Sequence, residues 1–153
     1  MIPREKIKPL NSYLDSVESI MRLSKDYCRD MRVITLGKDD FEIFYTRVCN
    51  LKYIEDSEVG SGEYERLWRA KWIMERLEGA DCKKKSILIA SFCNLHGIPV
   101  RFIVMSNRRD KQPHHIYTEV KLKGRWVVAD ATYPQNRLGK KYKETFRKVF
   151  RYE

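Results

Sequence analysis

The break Gly97-Ile98-Pro99 constrains this chain more than any other feature. Glycine accepts the left-handed conformation that ends a helix, and a proline two residues later prevents the helix from resuming. Upstream of the break, apolar residues recur at helical spacing. The spacing predicts helices over Pro9 to Arg29 (cap at Asn11 or Ser12, then Leu14, Val17, Ile20 and Met21), Phe41 to Ile54 and Glu63 to Leu77. A fourth helix is expected from Cys82 to His96, capped by Asp81, with Ile87, Leu88, Phe92 and Leu95 as its apolar face. Downstream, three runs read as strands: Val100–Ser106, Ile116–Leu122 and Arg125–Thr132. Lys123-Gly124 between the last two is a two-residue hairpin turn. Phe146, Val149 and Phe150 at i, i+3, i+4 predict a short basic helix over 140–153. The expected class is α+β, with N-terminal helices and a core helix packed on an antiparallel β-sheet.

With 153 residues, 42% of them hydrophobic and 34% charged, a single soluble domain is expected. No apolar run approaches the roughly 20 residues of a membrane span. The opening Met1-Ile2-Pro3-Arg4-Glu5-Lys6 has no signal-peptide core, so cytoplasmic synthesis is expected. In that compartment Cys28, Cys49, Cys82 and Cys93 read as thiols. Zinc-finger or ribbon spacing is absent, and no metal or cofactor is expected. The charge is uneven: residues 1–81 hold 14 Lys/Arg against 16 Asp/Glu, and residues 82–153 hold 17 against 5, or −2 against +12. A basic half of this kind attracts an anionic polymer, whether nucleic acid, cell-wall polymer or acidic protein. Taken one by one, Lys83–Lys85, Arg108–Lys111 and Lys140–Lys148 read as solvated surface, and Trp68 and Trp72 as core.

Cys82 is the thiol best placed for nucleophilic chemistry. A cysteine in the first turn of a helix meets free N–H groups and the positive end of the helix dipole, which favour a thiolate. Cys28, Cys49 and Cys93 fall inside helical patterns and read as small core residues. Such a nucleophile needs a base and a group to orient it. If Lys123-Gly124 is the turn, Leu122 pairs with Arg125, Tyr117 faces Asp130, and His115 faces Thr132. His115 and Asp130 then become diagonal neighbours on one face, while His114 points to the other.

These residues carry a resemblance. Asp81-Cys82, then His115-Ile116-Tyr117-Thr118-Glu119-Val120, then Trp126-Val127-Val128-Ala129-Asp130-Ala131-Thr132 resemble the three signature segments of the transglutaminase-like superfamily. Leu88 to Pro99 is similar to that family's core helix and Gly-Ile-Pro exit. Asn50-Leu51-Lys52-Tyr53-Ile54-Glu55-Asp56 resembles the segment that precedes its cysteine. The resemblance implies a papain-like Cys–His–Asp site of Cys82, His115 and Asp130, in one domain with a helical N-terminal extension (1–40), a core (41–139) and the basic C-terminal helix. It implies an aromatic residue at the oxyanion, with Tyr53, Trp68 and Trp72 as candidates, and a peptide or amide substrate cleaved through a thioester. Compact bacteriophage-encoded members are also similar over Asp130 to Gly139, which implies a virion-associated cell-wall hydrolase with virion proteins as partners. Two alternatives stand beside hydrolysis: transglutaminase-type amine transfer, and a catalytically silent structural or nucleic-acid-binding virion protein.

Overall fold

The computed structural model describes residues 7–9, 13–54, 64–66, 69–76 and 79–152. The expected cap at Asn11 or Ser12, Trp68 and Leu77, the expected end of the third helix, lie outside them. In chain order the elements are β1 (Ile7–Pro9), α1 (Tyr13–Asp26), two 3-10 turns (Cys28–Val33 and Lys38–Asp40), α2 (Phe41–Cys49), β2 (Tyr64–Arg66), α3 (Ala70–Arg76) and α4 (Cys82–His96). They are followed by β3 (Val100–Ser106), β4 (His115–Leu122), β5 (Arg125–Ala129) and β6 (Phe146–Arg151). The fold is α+β, as expected.

The centre of the fold is α4. The Asp81 side chain accepts from Lys84 N–H at 2.9 Å, and Gly97, at φ +68°, closes the other end. Every residue from Cys82 to Cys93 is buried, so the helix is enclosed on all sides rather than amphipathic. It packs against α1 and the Cys28–Val33 turn on one flank, and against β4 and β3 on the other. Phe92 stacks on Phe44 of α2 at 4.3 Å between ring centroids. Asp30 in the Cys28–Val33 turn accepts from Arg69 and from Lys71 N–H, tying that turn to the start of α3.

The main sheet is antiparallel, in the order β5-β4-β3-β6. Lys123 and Gly124 both take positive φ, +51° and +78°, as a two-residue turn between right-twisted strands requires. The register is the expected one: Leu122↔Arg125, Glu119↔Val128, Thr118↔Ala129. One face, with Phe102, Val104, Ile116 and Val120, joins the core around α4. The other carries a smaller cluster of Ile103, Met105 and Tyr117, covered by Val128, Tyr142 and Val149.

Several sequence expectations are corrected. The basic C-terminal helix is strand β6, paired with β3 from Arg101↔Arg151 to Ser106↔Phe146. The spacing of Phe146, Val149 and Phe150 fits a helix face, but it also fits a strand that feeds both sides of a sheet. Phe146 and Phe150 pack on the main core, and Val149 packs on the smaller cluster. Pairing also satisfies the outer backbone groups of β3, which a helix there would leave without partners. Glu63 to Leu77 is not one helix: Tyr64–Arg66 pairs with Ile7–Pro9, and α3 begins at Ala70. The α2 helix stops at Cys49 rather than Ile54. The following segment runs alongside the approach to α4, with Ala80 N–H donating to Lys52 C=O at 2.9 Å. Lys83, Lys84 and Lys85 are buried, not solvated. The enclosure of α4 leaves them little exposure, and Lys85 finds partners in the carbonyls of Cys49, Leu51 and Thr132.

Candidate active site

Three segments bring the expected residues together. Cys82 is the first residue of α4 and is buried. His115 is the first residue of β4, and Asp130 follows the last residue of β5. The Thr118↔Ala129 pair, continued one step, sets Tyr117 opposite Asp130. The carboxylate therefore reaches His115 on the diagonal, and His115 Nε2 lies 2.7 Å from Asp130 Oδ2. That engages Nε2 with the carboxylate, and the Cys82 thiol at the start of α4 lies near enough to the imidazole to raise its pKa. His114 is held elsewhere, accepting from Asn107 N–H at 3.0 Å.

The electrostatics follow from these contacts. Burial alone would lower the His115 pKa. The hydrogen bonds to Asp130 and Cys82 and their negative charge outweigh it and raise the pKa to about 10. Burial would raise the Asp130 carboxyl, but donation from His115, Thr132 and Tyr142 holds it below its ordinary value. The Asp130 side chain is 2% exposed. Its Oδ1 accepts from Thr132 N–H at 3.0 Å and Thr132 Oγ1 at 2.5 Å, and its Oδ2 accepts from the Tyr142 hydroxyl as well as His115. Its backbone carbonyl accepts from Tyr45 Oη at 2.8 Å and Asn136 Nδ2 at 3.1 Å.

Lys85 completes the frame. It lies one helical turn beyond Cys82, and its Nζ donates to the carbonyls of Leu51 (2.6 Å), Thr132 (2.8 Å) and Cys49 (3.4 Å). It thus pins the loop after Asp130 to α4 and to the end of α2. Burial pushes its pKa down to about 8. Sequence reasoning missed Tyr45, Lys85, Asn136 and Tyr142. Each acts through hydrogen bonds that leave no period in the chain.

Of the three aromatic candidates for the oxyanion, Tyr53 lies on the segment whose backbone pairs with Ala80, and its ring is 5.3 Å from that of Tyr133. Trp72 is in α3 with a buried Nε1 that has no hydrogen-bond partner, and Trp68 is outside the described residues. All four cysteines are free thiols. Among the described residues no group of His, Cys, Asp and Glu could hold a metal ion, and no helix is long and apolar enough to cross a membrane.

The family model of the transglutaminase-like superfamily matches residues 38–131, more than half of the chain. The chain belongs to that superfamily. The match runs from the 3-10 turn before α2 to the residue after Asp130, so β6 and Tyr142 lie beyond the matched transglutaminase-like core. No curated protein matches. Among solved structures, the chain is similar to "a Putative Cysteine Protease from Cytophaga hutchinsonii" at 18% identity and a TM-score of 0.46; the likeness covers 94% of this chain and 50% of that one.

Proposed function

We propose that this chain is a cysteine-dependent acyl-transfer enzyme that cleaves amide bonds through a thioester, with Cys82 as nucleophile, His115 as base and acid, and Asp130 as orienter. One observation carries the reading: His115 Nε2 lies 2.7 Å from the Asp130 carboxylate, and Cys82, the residue that opens α4, is near enough to raise the pKa of the same imidazole. Membership of the transglutaminase-like superfamily supports it at the level of a cysteine hydrolase or transferase. In this mechanism His115 takes the Cys82 proton and the thiolate attacks the amide carbonyl. The C–N bond breaks as His115 returns the proton to the leaving amine. Water activated by the imidazole then cleaves the thioester and regenerates the thiol. The backbone N–H of Cys82 stabilises the developing oxyanion in this reading, and Tyr53 is the aromatic candidate on the segment that pairs with Ala80. Asp130 fixes the ring's orientation and tautomer.

The finer reading is a virion-borne hydrolase acting on the peptides of an anionic cell envelope. It draws on the exposed Lys140, Lys141, Lys143, Lys148 and Arg151. The test is mass spectrometry of peptide, glutamine-containing and muropeptide substrates, with and without a primary amine. Wild type should form an acyl adduct on Cys82 and release product, and Cys82→Ala should do neither while keeping its fold. Undiminished turnover in Cys82→Ala refutes the assignment. An amine-linked product in place of the hydrolysed one makes the chain a transferase.

A further inference from the structure

We propose that Tyr142 is a positioning residue of this site, holding Asp130 Oδ2 against His115. This inference rests on the reading of Cys82, His115 and Asp130 given above. The Tyr142 hydroxyl donates to the same carboxylate oxygen that meets His115 Nε2. Its ring stands edge-on to His115, 6.0 Å between centroids at 66°, and 5.3 Å from the Tyr117 ring. The segment that carries it is fixed at both ends: Gly139 N–H donates to Val128 C=O at 2.8 Å, and Thr145 N–H donates to Ser106 C=O at 2.8 Å. The phenol is therefore delivered by backbone pairing to β5 and β3, not by a free loop.

The carboxylate needs this donor. Thr132 supplies both donors to Oδ1, so without Tyr142 only His115 would hold Oδ2. An oxygen held by its catalytic partner alone can swing with it, and one held from a second side stays aimed. The other titratable groups that act on Asp130 are Tyr45 and Cys49 of α2 and Lys85 of α4. Of these only Lys85 is cationic, and its Nζ is committed to three backbone carbonyls. Lys140 Nζ sits 5.2 Å from the Tyr142 ring centroid. Donation from Tyr142 is one of the contributions that keep the Asp130 carboxyl below its ordinary value.

The test uses the full chain and needs no substrate. The rate of Cys82 alkylation by iodoacetamide is followed against pH, together with the 13C signal of the Asp130 carboxyl. The variants are Tyr142→Phe and 3-fluorotyrosine placed at position 142, a stronger donor that keeps the ring. Tyr142→Phe should move the acid limb of the alkylation profile and the carboxyl titration up by about one pH unit. On that limb this is about a tenfold loss of rate at fixed pH. The fluorinated ring should move both down. Profiles and titrations that superimpose on wild type overturn the inference, because a ring that merely fills space would give that result. Wild-type Cys82 alkylating no faster than free cysteine at any pH refutes the nucleophile reading instead. The Asp130 carbon signal then decides alone: a shift in both variants supports Tyr142, and no shift overturns it.

Discussion

Replacing Asp130 with Asn tests whether the buried carboxylate sets the charge of His115. Raising the imidazole from 6.5 to about 10 corresponds to on the order of 5 kcal/mol in favour of the imidazolium, at roughly 1.4 kcal/mol per pH unit. That is the net effect after burial has opposed it. A hydrogen bond to a charged partner contributes about 1.5–3 kcal/mol, or one to two pH units, and the charge of Asp130 adds to this. Asp130→Asn should therefore lower the His115 titration midpoint by about two units or more. Four donors converge on this carboxylate: His115 Nε2–H, the Tyr142 hydroxyl, and the N–H and hydroxyl of Thr132. An asparagine offers one acceptor oxygen and an NH2 group, so donor must face donor. Removing one partner of a buried pair costs about 3–5 kcal/mol of stability.

The pH dependence has a definite sign. His115 is raised, so its stabilisation is complete below pH 6.5 and is lost as pH rises through about 10. Between pH 6.5 and 8 the His115 contribution should fall by about 1.5 kcal/mol, partly offset towards pH 8 as Lys85, with its pKa lowered to about 8, adds an opposite slope. Asp130 is lowered, so its stabilisation is present above its ordinary pKa of 3.8 and is lost as pH falls through the folded value. Imidazole 15N NMR titration reads the midpoint directly, and urea melts at pH 6.5, 7.25 and 8 read the slope. A midpoint in Asp130→Asn within half a unit of wild type would refute the electrostatic assignment.

Gly79 has φ +123°, and a Cβ there would lie 2.9 Å from the Ile54 side chain and closer still to Lys52 C=O, whereas one on Gly97 would meet nothing within 4 Å. Gly79→Ala should cost more than about 3 kcal/mol and slow Cys82 alkylation, and Gly97→Ala about 1 kcal/mol with alkylation unchanged; thermal melts showing equal losses would contradict this. Lys85→Met leaves the carbonyls of Cys49, Leu51 and Thr132 without their buried donor, at about 1–3 kcal/mol each, offset by relief of the buried charge. Its denaturation midpoint should fall, and a variant as stable as wild type would show that the three bonds contribute no net stability. Charge reversal at the exposed Lys141, Lys143 and Lys148 should weaken binding to a polyanion and flatten its salt dependence, read by titration at rising salt, without changing turnover of a small neutral peptide. Equal binding by the variant would mean that this surface is only solvated.

The parts of the fold that were legible in the sequence are those where one local rule decides. Asp81 and Gly97 bracket α4 because capping is a matter of a few neighbouring residues. The β4–β5 register followed from a two-residue turn, because turn length fixes pairing. The misread parts are those where two periods fit the same residues. Phe146, Val149 and Phe150 satisfy both a helix stripe and a two-faced strand, and only the open edge of β3 decides between them. The burial of Lys83–Lys85 was hidden for a similar reason. Three consecutive lysines read as surface in any local window, and the enclosure of α4 is a property of the whole fold.

The site divides along the same line. Cys82, His115 and Asp130 could be named as candidates because Cys82 falls at a marked helix start and the two-residue turn sets His115 and Asp130 as diagonal neighbours on one face. The groups that hold them could not. Tyr45 on α2 and Asn136 donate to the Asp130 backbone carbonyl, Lys85 on α4 grips the carbonyl of Thr132, and the Asp130 carboxylate draws donors from Thr132 in its own loop, from His115 on β4 and from Tyr142 before β6. A buried carboxylate must collect such partners or become neutral, and any element that can reach it satisfies the need. What is specified is the number of donors, not their places in the chain. The family pattern ends at residue 131, so it spans Cys82, His115 and Asp130 and leaves Tyr142 outside.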